Sequence, residues 1–287
     1  MAEPLEYSFT RYLAAKQSID DRSLNRNVFE RLQSELSKRT DGRPLRIVEI
    51  GAGIGTMIER LIKWRVISPE TDITAIDQDQ ANIDEATRRF ANQPFEPNFI
   101  TADVYDFLDR NHGHSKWDVL IAHAFLDLFD TSRLIPLLHP VIQSGGLFYL
   151  TLNFDGVTIF EPKIDSALDE QIERLYHRTM DNRLTNGLPS GDSQTGRHLF
   201  ERLSTSGYTI LSAGSSDWVV CAQDGKYLAD EAYFLHFIIH TVETALSSEA
   251  ELDQDVISNW VRVRHRQIEE GKLVYVAHQL DFLVSHE

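Results

Sequence analysis

Apolar residues fall along this chain in two alternating rhythms. Short runs rich in β-branched residues, Ile47-Val48-Glu49-Ile50, Ile73-Thr74-Ala75-Ile76 and Val119-Leu120-Ile121-Ala122, read as strands buried on both faces. Between them apolar positions recur every three or four residues, the mark of amphipathic helices. The pattern predicts strands over 46–50, 72–77, 97–101, 117–123 and 145–152, and helices over 55–65, 80–91 and 131–139. That alternation is the signature of a parallel sheet covered by helices. Ahead of it, residues 7–39 read as two helices: one with an aromatic-rich face from Tyr7, Phe9 and Tyr12, the other capped by Asp20 or Asp21. Asp41-Gly42-Arg43-Pro44 is a turn that launches the first strand.

After Asn153 the rhythm changes. Residues 154–207 show no strand, only helical stretches at about 163–181 and 195–206 around a polar loop from Asn186 to Ser193. A strand over Tyr208–Ser212 and a second piece at Trp218–Val220 precede two helices, about 229–247 and 253–270, and a closing strand over 272–284. Four units are therefore expected: a helical extension (1–43), a strand–helix core (44–153), a helical insertion (154–207), and remaining core strands with a further helical insertion (208–287).

The first strand runs into Gly51-Ala52-Gly53-Ile54-Gly55 before helical spacing resumes. Glycine admits backbone angles closed to other residues and leaves no Cβ in a ligand's way, while the free N–H groups of the first helical turn face whatever lies over the loop. The dinucleotide fingerprint G-x-G-x-x-G would place its third glycine at position 56, which is Thr56. The spacing is instead E-x-G-x-G-x-G over Glu49, Gly51, Gly53 and Gly55, which resembles motif I of the class I S-adenosylmethionine (SAM)-dependent methyltransferases. Asp77 ends the second strand, 26 residues after Gly51, where a carboxylate can accept ribose hydroxyls. Asp79 reads as the cap of the next helix. Asp103 follows the third strand and His123 ends the fourth.

This resemblance covers residues 44–153 well and the rest in outline. It implies a doubly wound, mostly parallel seven-stranded α/β sheet of Rossmann-like type, with the extension as a lid and the insertion as a substrate cap. It implies SAM as cofactor, with Glu49, Gly51, Ala52 and Gly53 around its methionine part, Asp77 and Gln78 at the ribose, Asp103 and Val104 at the adenine, and His123 nearby. The activity expected is methyl transfer to an oxygen or nitrogen of a small-molecule acceptor, in the 2.1.1 class. Catalytic residues do not follow from the fold as cofactor residues do, because the cofactor brings the activated methyl group. His123 is the candidate general base. Asp127 is a candidate to line the pocket. Tyr176, His177, Arg197 and His198 are candidates to meet the acceptor, as are Tyr12, Lys16, Asp20 and Arg22 from the extension. Solvated helix faces or simple packing explain each of them as well. The loop Ser190–Arg197 reads either as an anion nest or as a helix cap supplied by Ser193 or Thr195.

Composition narrows the alternatives. A net charge of −16 argues against a nucleic-acid partner. The cluster Arg262, Arg264, His265, Arg266 reads as a solvated helix face. One cysteine, Cys221, excludes disulfide frameworks and iron–sulfur clusters and reads as a small buried residue. No metal site is expected. No signal peptide or membrane-length apolar run is visible, so a cytoplasmic protein is expected, and a homodimer stays open. The Asn/Asp-Pro-Pro-Tyr/Phe motif of amino-methylating DNA enzymes is replaced by His123-Ala124-Phe125-Leu126. Two other readings stand beside the enzyme: a non-catalytic SAM-binding protein or partner subunit, and an NAD-dependent oxidoreductase, against which Thr56 speaks.

Overall fold

A computed structural model describes residues 1–39, 42–113, 117–185 and 187–286. Asp41 of the expected turn and Asn186 of the expected polar loop lie outside them.

Three helices open the chain: α1 (Phe9–Ala15), α2 (Gln17–Ser23) and α3 (Arg26–Ser37). The core follows as β1 (Arg46–Ile50), α4 (Thr56–Lys63), β2 (Asp72–Asp77), α5 (Gln80–Phe90), β3 (Asn98–Thr101), α6 (Val104–Asn111), β4 (Trp117–His123), α7 (Thr131–Leu138) and β5 (Ile142–Glu161). Then come α8 (Ser166–Asp181), the small hairpin β6 (Leu184–Thr185) and β7 (Leu188–Pro189), α9 (Thr195–Thr205), β8 (Tyr208–Ser215), β9 (Trp218–Val220), α10 (Glu231–Leu246), α11 (Gln254–Glu269) and β10 (Val274–His286).

The main sheet runs β3-β2-β1-β4-β5-β10-β8, with β9 also paired to β10. It therefore has eight strands where seven were expected, because Trp218–Val220 forms its own ladder on β10. β1 pairs in parallel with both β2 and β4, so strand order reverses on either side of β1, the switch point at which open α/β sheets bind ligands. β10 runs antiparallel between β5 and β8, as expected of the closing strand. Every residue of β4 is buried, which matches its nearly unbroken apolar run. One apolar layer joins the N-terminal helices, α4, α8, α10 and α11 to one face of the sheet, and α6, α7 and α9 cover the other.

Several expectations are corrected. The N-terminal segment holds three helices, and Asp20 and Asp21 lie inside α2, not at a cap; Asn25 caps α3 by accepting the Val28 N–H. Residues 154–207 do contain strands. β5 continues through the expected boundary to Glu161 because β10 stays paired with it as far as Val274. Its bend at Leu152 (φ +55°) is held by Asp281, whose Oδ1 accepts the Leu152 N–H at 2.8 Å. The helix α6 was not expected; Asp103 caps it by accepting two N–H groups. Neither Ser193 nor Thr195 caps α9, since Gln194 occupies that position without a side-chain bond. Arg264 is no solvated residue: it is fully buried against Asp169 at 2.5 Å, and His265 is buried too. Cys221 is exposed.

Candidate cofactor and acceptor site

The strand tips that the glycine motif needs lie together. Gly51, Gly53 and Gly55 all have positive φ (+69°, +54° and +79°), and Ala52 N–H donates to the Ile76 carbonyl, binding the loop to β2. Asp77 Oδ2 accepts the Gly53 N–H at 2.9 Å, and its Oδ1 accepts from Asp79 N and Asn82 Nδ2. The Ala102 N–H donates to the Asp77 carbonyl, bringing the β3 tip and Asp103 to the same edge. Asp103 and Gln78 are exposed and Val104 is buried. Asp79 caps α5 as expected.

The loop is shaped so that nothing larger than glycine fits. A Cβ at Gly51 would lie 2.0 Å from the Phe125 ring, and one at Gly53 would lie 3.1 Å from Leu13 of α1. Beneath the loop Glu49 is buried, with Oε2 unpartnered. Burial, opposed by Arg60 but reinforced by Asp77, pushes its carboxyl up to about 8. A glycine turn, a carboxylate at the adjoining tip and a buried, protonated carboxyl with one unpartnered oxygen are polar groups that suit a nucleoside.

The extension is fastened over this corner by a buried ionic cluster. Asp20 Oδ2 accepts from Lys16 Nζ at 2.6 Å and from His123 Nε2 at 3.1 Å, and its Oδ1 accepts from Trp218 Nε1 at 3.0 Å. Arg60 is wholly buried beside them and donates to Asp21 at 2.7 Å. Burial would raise the Asp20 carboxyl, but Lys16 and His123 hold it far below the usual carboxylate range. His123 is pushed down to about 4 by burial, against the pull of Asp20, so it is a neutral imidazole at neutral pH. Its Nδ1 meets Thr151 Oγ1 at 2.8 Å. With Nε2–H on Asp20 and Nδ1 on the Thr151 hydroxyl, both ring nitrogens are engaged. The candidate general base thus bonds the sheet to the N-terminal helices through its two ring nitrogens.

The other candidates divide. Asp127 follows β4 in a single 3-10 turn, two residues beyond Phe125, and its Oδ1 is buried without a partner. Burial raises its carboxyl to about 6 against the pull of Arg183 and Lys16. Tyr176 on α8 is half-buried, and its phenol is pushed up to about 12 by burial, with Asp127 among the contributing charges. His177 points elsewhere: its Nε2 meets Thr158 Oγ1 at 2.9 Å in a groove of 520 Å³ between α8 and the outer half of β5. Arg197 is spent on Asp155, through its backbone N at 2.6 Å and Nε at 2.9 Å, and His198 on Asp192 at 2.6 Å. Arg22 pairs with the buried Glu231. Arg60, Thr151 and Trp218 were missed. Arg60 left a trace in the sequence, a cation within the apolar helix face Met57-Ile58-Leu61.

Residues 47–146 match the family model described as a methyltransferase domain. No curated protein matches the sequence. Among solved structures, a SAM-dependent methyltransferase from Thiobacillus denitrificans in complex with S-adenosyl-L-homocysteine aligns over 100% of both chains at 13% identity and a TM-score of 0.48. The cyclopropane synthase MmaA2 from Mycobacterium tuberculosis aligns over 98% of this chain and 100% of its own, at 10% identity and 0.48. The plantazolicin methyltransferase BpumL in complex with SAH aligns over 96% and 86%, at 16% and 0.45.

Proposed function

We propose that this chain, whose residues 47–146 match a methyltransferase-domain model, is a class I SAM-dependent methyltransferase that transfers the methyl group of SAM to an oxygen or nitrogen of a small-molecule acceptor. The cofactor of such a domain is SAM. When bound it would supply an activated methyl group carried on a positive sulfur. Gly51, Gly53 and Glu49 would lie around its methionine part, and Asp77 would accept from the ribose hydroxyls. The chain's own task is to place the acceptor atom, exclude water and hold any proton that is lost.

The observation that carries the acceptor class is the cover over the glycine corner. Leu13 lies on Gly53, and the Asp20 cluster fastens the same helices to β4 and β9. An acceptor reaching the methyl group must fit beneath these helices, which suits a small molecule better than a folded macromolecule. The experiment is incubation with SAM and a panel of small acceptors, with S-adenosylhomocysteine (SAH) measured as product. Product formation that depends on both acceptor and Asp77 is the expected result. Tight SAM binding with no turnover, in extract as well as in the panel, would make the protein a non-catalytic SAM binder.

A further inference from the structure

The outer half of β5 has one edge that no strand covers. β4 pairs with β5 only as far as Thr151, whereas β10 follows it to Glu161. Beyond Thr151, every second residue of β5 turns its N–H and C=O away from β10, towards an edge with no ladder partner among the described residues. Arg197 takes the Asp155 carbonyl at 2.8 Å. From 157 to 160 no other described residue bonds this side of the backbone. The register shifts opposite His278, and residues 158–161 run regularly beyond that shift.

This edge opens on the groove of 520 Å³ beside α8. Residues 156–159 all line the groove. Side chains alternate between the two faces of a sheet, so four in a row meet one cavity only along the edge itself. The opposite wall carries Glu170, His177 and Asp181 of α8. Ser193 closes one end; it is 4% exposed, and its hydroxyl has no hydrogen-bond partner among the described residues.

The charge on this wall is uneven. Arg174 and Arg178 are spent on Glu249 and Glu251, and Lys163 pairs with Glu173 at 3.4 Å. Glu170 and Asp181 have no cationic partner among the described residues. On one helix their spacing is about 16 Å, the span of about five extended residues.

We propose that this groove takes an extended peptide with basic side chains, which adds a strand to the free edge of β5 and sets its cationic groups against Glu170 and Asp181. Backbone bonds along the edge supply affinity, and the two carboxylates select the sign of the charge. A second copy of this chain, with net charge −16, would meet those carboxylates with repulsion.

The test is fluorescence anisotropy with three labelled probes: Lys-Val-Lys-Val-Lys, the same peptide with Glu for Lys, and the Lys peptide N-methylated throughout. The Lys peptide is expected to bind. The Glu peptide should bind about tenfold more weakly or worse, and so should the N-methylated one, which keeps its charge but has lost its donors to the edge. Glu170→Gln combined with Asp181→Asn should weaken the Lys peptide by about tenfold. In the wild-type protein, amide shifts caused by the Lys peptide should fall on residues 157–161, a measurement independent of any variant. Equal binding of the Lys and Glu peptides, undiminished binding of the N-methylated peptide, or shifts confined to another surface overturns the proposal. A dimer in analytical ultracentrifugation that blocks the Lys peptide would give the edge to a second copy and overturn it too.

Discussion

Asp20 Oδ2 stands 3.1 Å from His123 Nε2, so the second helix of the chain is bonded to the imidazole at the tip of the fourth strand. Neither group is available to solvent. The carboxylate also receives the buried Lys16 ammonium and the Trp218 indole, so one side chain joins α1, α2, β4 and β9. Removing one partner of a buried ion pair strands the other charge. Asp20→Asn should therefore cost about 3–5 kcal/mol of stability, read from urea unfolding followed by circular dichroism. A loss below about 1 kcal/mol would mean that Lys16 finds water or another partner at once.

Glu49 should make stability fall as pH rises. Its folded carboxyl sits at about 8, well above the ordinary value of 4.5, so between those values the folded chain holds a proton that the unfolded chain has released. Its contribution is whole below about 4.5 and is lost as pH climbs through about 8. Glu49→Gln removes that loss, so its stability relative to wild type should increase from about pH 4.5 to about pH 8 and then level off. Parallel pH curves for the two proteins would show that Glu49 is ionised in the folded state.

Across the acid range His123 acts in the opposite sense. Its folded value of about 4 lies below the ordinary 6.5, so the unfolded chain binds the extra proton and stability drains away as pH falls from 6.5 towards 4. His123→Gln should flatten this slope. An activity profile with an inflection near 6.5 that vanishes in His123→Gln would show that the residue acts as a general base.

Gly51→Ala should be damaging for two separable reasons. The backbone there has φ +69°, and the new methyl group would meet the Phe125 ring. Adding Phe125→Ala should recover the steric part and leave the conformational part, about 1 kcal/mol. Stability losses that simply add in the double variant would show that the ring had already moved aside.

Asp77→Ala should weaken SAM binding by roughly 1.5–3 kcal/mol for each hydrogen bond lost to the carboxylate, measured by titration calorimetry. Because Asp77 also receives the Gly53 N–H, the same variant should loosen the glycine loop, seen as faster amide exchange at Gly53. Unchanged affinity would remove Asp77 from the site.

The glycine corner was legible because its requirements are local. Three glycines, a strand on one side and a helix on the other fix the turn, and the acids at 77 and 103 fall one strand apart. What escaped was everything made by distant segments. Asp20 reads as a cap when only its neighbours are considered; its burial depends on Lys16, His123 and Trp218, the last of them 198 residues away. The same holds for Arg264, whose neighbours Arg262 and Arg266 suggest a wet face, while its partner Asp169 lies on another helix. For His123 the position was readable but the protonation state was not, because burial and a remote carboxylate set it. α6 was hidden by its eight-residue length, just after a short strand.

The unbroken strand Ile142–Glu161 limits how this molecule could be re-engineered or recombined in evolution. Its first half pairs with β4, and it lies along β10 from Leu147 to its far end. Helix α8 follows directly on that outer half, so residues 154–207 cannot be exchanged as a cassette cut at Asn153. A chimaera that keeps its ladder intact must take residues 154–207 together with the matching stretch of the last strand, Val274–Gln279. Any drift in the segment that follows the outer half of this strand is thereby coupled to the C-terminus.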